Sequence, residues 1–104
     1  VFEVRDRDDA ITARTEGRVA FEKMIDGVPG PPKKFVKRLP TAPIVNVTGD
    51  DAHAETYFTR FDELGANSPY IYAYGRYFDH LIRCPDGQWR IKHRLARVDA
   101  EVKP

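Results

Sequence analysis

The sequence is poor in cysteine and has no long apolar run. Cys84 is the only cysteine among 104 residues, which excludes an intrachain disulfide and a zinc site built on cysteines. The apolar runs span only a few residues, so we predict neither a transmembrane helix nor a secretory signal peptide. These absences suit a protein of the reducing cytoplasm that does not bind membranes.

An excess of charge of one sign is also missing. Lys and Arg number 17 and Asp and Glu number 16, for a net charge of +1, which gives no electrostatic reason to expect nucleic-acid binding. The basic run at 31–38 is short and rich in proline, as in a solvated loop. There is no glycine-rich phosphate loop, and the three histidines are far apart in sequence. We therefore predict no metal site and no bound cofactor.

What remains is the composition of one small globular domain. Hydrophobic residues make up 41% of the chain and charged residues 32%, which argues against disorder. A chain of this length is able to bury a core without disulfides or metals. We expect residues 1–104 to form a single domain.

The order of the local patterns predicts an α+β fold. A short strand at 1–4 precedes a helix at about 17–26, where apolar residues follow helical spacing and Gly27 and Pro29 supply a stop. An extended segment at 35–47, interrupted by Pro40 and Pro43, leads into strands at 52–61, 70–83 and 89–98. Short turns join these strands, which predicts an antiparallel meander. Gly75 inside a long strand indicates a bulge or a bend.

Alternation along the last strand places Trp89, Ile91, His93 and Leu95 on one face, which we expect to be buried. Burial disfavours the charged form of an imidazole, so His93 is a candidate general base. The alternative is a core histidine with one hydrogen-bond partner.

The preceding strand also divides into two sets of side chains. Ala73 and Gly75 are small and leave room on the face that carries Tyr77 and Asp79. Asp79 either orients a catalytic group there or serves as a structural partner of Arg83 or Arg94. The opposite set forms an aromatic stripe, which is typical of a sheet surface or a subunit contact; its members are Tyr70, Tyr72, Tyr74, Phe78 and His80.

Three motifs together resemble the SnoaL-like branch of the nuclear-transport-factor-2-like superfamily, the relatives of polyketide cyclases. They are Gly49-Asp50 with Ala52 and Tyr57, then Gly75 with Tyr77 and Asp79, and finally Gly87 with Trp89, Ile91 and Arg94. The resemblance implies a cone-like fold, in which a curved antiparallel sheet packs against helices. Members usually begin with two helices that close the cone. Because this sequence starts at the first strand, we expect those helices to be missing.

The same resemblance implies a cofactor-free lyase, isomerase or cyclase acting on a small, apolar, oxygenated ring compound. In that interpretation His93 is the base, Tyr77 a hydrogen-bond donor and Asp79 an orienting group. Arg38 stands where many members carry a histidine, and it is expected to bind substrate together with Trp89 and Arg94. Two alternatives stay open: a ligand-binding or dimerising scaffold, and the small subunit of a ring-hydroxylating dioxygenase. Self-association through the outer face of the sheet is expected in each case.

Overall fold

The structure is a computed structural model that describes residues 1–28 and 36–102. Pro29, most of the basic run at 31–38 and the first residue of the extended segment at 35–47 lie outside these residues. The elements in chain order are β1 (Phe2–Arg5), β2 (Ile11–Thr15), α1 (Arg18–Asp26), β3 (Lys37–Pro40), β4 (Ile44–Thr48), β5 (Asp51–Glu63), β6 (Pro69–Arg83) and β7 (Trp89–Glu101).

The strands form one curved, open sheet, which confirms the predicted α+β fold. Its order is β2-β1-β7-β6-β5-β3, and β4 pairs with β5 beside β3. The meander β5-β6-β7 is antiparallel, as predicted. One pairing outside the meander is parallel, because β1 runs in the same direction as β7. These two strands lie at opposite ends of the chain, so no local turn sets their relative direction.

Helix α1 begins directly after Gly17, whose φ of 82° suits glycine far better than other residues. The Phe21 ring lies 5.9 Å from the Phe2 ring, and the Thr15 hydroxyl is 3.6 Å from the Met24 sulfur. The helix therefore packs on the sheet beside β1 and β2. We call the face that carries Phe2 and α1 the inner face, and the opposite face the outer face.

Strand register assigns side chains to these faces, because directly paired residues point the same way. On the inner face, Arg94 is the ladder partner of Phe2 in β1 and of Asp79 in β6. The buried apolar residues of the meander also lie there: Ala52, Phe58, Ala73 and Ala96. On the outer face, the paired rows are His53, His80 and His93, and then Glu55, Phe78 and Leu95.

An extra residue in β7 overturns one prediction about the faces. His93 pairs with His80 and Ile91 pairs with Leu81, so Lys92 is bulged. Ile91 and His93 consequently point to opposite faces, and the predicted common face of Trp89, Ile91, His93 and Leu95 does not exist. Nor is it buried at its start, since Trp89 is 38% exposed and Ile91 49% exposed.

The predicted irregularity at Gly75 is present. The register shifts between Tyr74 and Gly75, which leaves Asp99 of β7 as the extra residue. A Cβ atom at position 75 would overlap the carbonyl oxygen of Arg97 and lie 2.9 Å from its carbonyl carbon. Only glycine therefore permits this close approach of β6 and β7.

Candidate functional site

The inner face carries a charged pair at the centre of the meander. Arg94 Nε donates to Asp79 Oδ1 at 2.7 Å, and Arg94 Nη2 donates to Asp79 Oδ2 at 2.9 Å. Asp79 is only 7% exposed. Its hydrogen bonds raise the pKa of Arg94 above the usual value, against the opposing effect of desolvation. Arg94 is thus a fixed cation with a set orientation, whereas Arg83 pairs with Asp50 instead.

Tyr77 lies beside this pair. The Arg94 guanidinium sits 4.4 Å from the centre of its ring, and the Phe58 ring stacks on it at 4.5 Å. Both contacts hold the ring in place. Among the described residues the Tyr77 hydroxyl has no hydrogen-bond partner.

A pocket of about 350 Å³ opens next to Arg94, between α1, β1 and β7. Its walls are mainly apolar, and Arg94 forms one side. Arg94 has five N–H groups, of which Asp79 takes two. The other donors are available for an oxygen atom of a bound molecule. The lining residues are Val1, Phe2, Thr15, Gly17, Arg18, Phe21, Ile91 and Arg94.

His93 does not join this cluster. It is half-buried on the outer face, where it lines a groove of about 370 Å³ together with His53 and His80. The His53 and His80 rings stack at 4.6 Å, and His80 Nε2 lies 2.7 Å from Asp51 Oδ1. By register, the His93 side chain points to the opposite face of the sheet from those of Tyr77, Asp79 and Arg94, although Asp79 also lines this groove.

The row formed by all the histidines of the chain was missed in the sequence analysis, because it follows from pairing across three strands. Within residues 1–28 and 36–102, no three histidine, cysteine or acidic side chains are arranged to hold a metal ion.

The two other predicted substrate-binding residues lie apart from the pocket. Arg38 is exposed, and its ladder partner across β3 and β5 is Arg60. Arg60 and Ala54, the partner of Asp79, are six residues apart on β5, which puts Arg38 roughly 20 Å from Asp79 along the sheet. Trp89 begins β7, and the Arg83 guanidinium lies 5.1 Å from its ring. It stands two residues from Ile91 but does not line the pocket.

Several solved structures share this architecture, and three come from Novosphingobium aromaticivorans. The first is the beta subunit of a proposed aromatic-ring-hydroxylating dioxygenase, with 19% identity and a TM-score of 0.78 over 95% of this chain and 68% of that one. An NTF2-like protein with a cystatin-like fold has 20% identity and a TM-score of 0.71 over 92% of this chain and 60% of that one. A proposed scytalone dehydratase has 23% identity and a TM-score of 0.64 over 97% of this chain and 68% of that one.

These likenesses show that the chain has an NTF2-like, cystatin-like fold. At such identities they establish the fold alone. The chain spans between 60% and 68% of the length of these three structures.

The chain belongs to the SnoaL-like domain family, whose profile matches residues 1–95. This confirms the resemblance that the three sequence motifs indicated. A comparison with curated proteins finds no match. In the part of the chain that the structure describes, no helix has the length and apolar character needed to cross a membrane.

Proposed function

We propose that the inner face binds a small, largely apolar, oxygenated ring compound, and that the chain belongs to a cofactor-free lyase, isomerase or cyclase. The observation that supports this proposal is the position of Arg94. Its guanidinium is oriented by Asp79, has donors left over and borders an apolar pocket. SnoaL-like membership supplies the fold on which the proposal rests.

Such reactions move a proton next to a carbonyl group and leave negative charge on the carbonyl oxygen. Arg94 is the donor at the pocket wall that stabilises this charge, and it acts best in a pocket with little water. Tyr77 does not line the pocket, and its ring holds the Arg94 guanidinium in place. Asp79 is a positioning residue, because both of its oxygens already accept hydrogen bonds from Arg94. We propose that a water molecule accepts the proton, because the His93 side chain points to the opposite face of the sheet.

Deuterium exchange tests this proposal. A panel of cyclic ketones and hydroxyketones is incubated with the protein in D₂O, and NMR follows exchange next to the carbonyl and loss of water. We expect Arg94→Lys to slow the reaction about 100-fold, because a donor to the developing oxyanion loses its geometry. Tyr77→Phe keeps the ring that contacts the Arg94 guanidinium, so its rate is expected to stay close to that of the wild type. Tyr57→Phe is the matched control, because Tyr57 is 54% exposed on the outer face.

A second candidate function is a non-catalytic binding module, which the separation of His93 from the inner cluster favours. In that case members of the panel bind at the inner face but no exchange or water loss occurs. Equal rates for the wild type and Arg94→Lys would contradict the catalytic role of Arg94. If no member of the panel binds or reacts, both functions fail for this ligand class.

We also propose that two copies associate through the outer face. Tyr57 and Tyr74 are each more than half exposed there, and Ile44 is 65% exposed. By register all three point to the same side as Phe78. Exposed aromatic and aliphatic side chains gathered on one sheet face are typical of an interface.

The double variant Tyr57→Lys/Tyr74→Lys is expected to be monomeric, because a two-fold contact brings the introduced charges of both copies together. Light scattering at high micromolar concentration measures the molar mass. Val19→Lys/Leu64→Lys adds the same charge at residues that are at least 80% exposed in α1 and a loop, and it is expected to remain dimeric. A monomeric wild type would overturn the proposal.

A further inference from the structure

The geometry points to an organic acid as the ligand of the inner pocket: we infer that the corner between α1, β1 and β7 holds a ring compound by a carboxylate on Arg94. This inference rests on the proposed function, since it concerns the same face, and it specifies the chemical class of the ligand. It requires only selective binding and makes no claim about turnover.

The walls of the corner are suited to a flat ring. Phe2 and Phe21 lie 5.9 Å apart with their planes inclined by 51°, and Ile91, which is 49% exposed, faces the same space. Aromatic side chains in this arrangement offer both face and edge contacts to a ring. The volume of about 350 Å³ is near the lower end for ligand pockets. One or two fused rings are therefore the expected size.

Arg94 supplies the polar end of the site. Because Asp79 uses Nε and one N–H of Nη2, Nη1 and the remaining N–H of Nη2 form a second pair of donors. Two adjacent donors in one plane match the two oxygens of a carboxylate. The contacts with Asp79 and Tyr77 fix the guanidinium before a ligand arrives, which reduces the entropy lost on binding.

The charges around the pocket favour an anion over a neutral oxygen. Its lining includes two arginines, Arg18 and Arg94, and no acidic residue. Arg18 and its partner Glu22 are largely exposed, with 90% and 59% of their side chains accessible, so this pair adds little to the field inside the pocket. Asp79 offsets part of the charge of Arg94, and the donors that Arg94 has left over are what attract an anion. The first turn of α1, which adjoins the pocket, contains no acidic residue. The amino end of the helix thus adds partial positive charge at the same wall.

Titration calorimetry with 2-naphthoate and its neutral analogue 2-naphthamide tests the inference on the full chain. We expect the wild type to bind the carboxylate about tenfold more tightly than the amide, because charge-assisted hydrogen bonds are the stronger ones. NMR of the Arg94 Nη–H groups should show a shift with the carboxylate. Equal affinities for the two compounds, or no binding of either, would overturn the inference.

A variant that leaves the Asp79–Arg94 pair intact provides the second arm. Ile91→Glu puts a carboxylate into the pocket at a partly exposed position, and it is expected to abolish the preference for naphthoate. Ile71→Glu makes the same change at an isoleucine that is 54% exposed and does not line this pocket, and it should keep the preference. If Ile91→Glu retains it, the carboxylate is bound elsewhere. The protein could catalyse exchange on neutral ketones and yet bind naphthoate and naphthamide with equal affinity. That result would refute the selectivity for acids and would leave the proposed function standing.

Discussion

Replacing Gly75 with alanine is expected to lower the free energy of unfolding by about 3 kcal/mol or more, at the upper end for overpacking. The added Cβ atom would overlap the carbonyl oxygen of Arg97 and lie 3.1 Å from the Val98 Cα. These are backbone atoms, so no side-chain rotation relieves the clash. The strands would have to separate where β6 and β7 form the centre of the sheet. Urea denaturation followed by circular dichroism measures the loss.

Gly65→Ala is the matched control for this substitution. Position 65 lies in the loop between β5 and β6, and a Cβ atom there meets nothing within 4 Å. Its stability is expected to stay within about 0.5 kcal/mol of the wild type. If Gly75→Ala unfolds at the same urea concentration as Gly65→Ala, then the backbones of β6 and β7 do not lie as close together at Gly75 as described above.

The three strands of the meander could be predicted from sequence because their signals are local. Alternating residues, aromatic and β-branched side chains, and turns such as the one at Asp86-Gly87 mark where each strand begins and ends. The partner of β1 could not be predicted in this way. Its pairing with β7 joins residues such as Phe2 and Arg94, and no pattern within either segment specifies the other.

The candidate site could be predicted only in part, for a related reason. Tyr77, Asp79 and Arg94 were each identified, and the register brings them together on the inner face. His93 was assigned to the wrong surroundings because the face of a strand residue depends on every bulge before it. One extra residue, Lys92, reverses the orientation that simple alternation gives relative to Trp89 and Ile91. Nothing in the composition of β7 distinguishes Lys92 as the bulged position.

Removing the carboxylate of Asp79 is the other change with a large expected effect. Asp79→Ala should lower the free energy of unfolding by about 2–3 kcal/mol, somewhat less than for a fully buried pair. The reason is that the Arg94 guanidinium remains as a partly buried cation without its partner. The side chain of Arg94 is one-third exposed, so it retains some water but loses both of its hydrogen bonds to Asp79. Urea denaturation measures the change, and loss of carboxylate binding at the pocket should accompany it because Arg94 is no longer held in place.

Two further variants decide whether the effect comes from the unpaired cation. Asp86→Ala breaks another two-bond pair, with Arg90, in which both side chains are about half exposed, and it also removes the acceptor of the Gln88 backbone N–H; its cost is expected to be clearly smaller than that of Asp79→Ala. In Asp79→Leu/Arg94→Met the charge disappears together with its partner, so stability should recover by more than half of the loss in Asp79→Ala. If Asp79→Ala costs no more than Asp86→Ala, the pair contributes to stability only as a surface pair does. The guanidinium of Arg94 stacks on the Tyr77 ring, so the double variant also removes this packing. If the double variant is less stable than Asp79→Ala, packing against Tyr77 accounts for the lost stability and the unpaired cation does not.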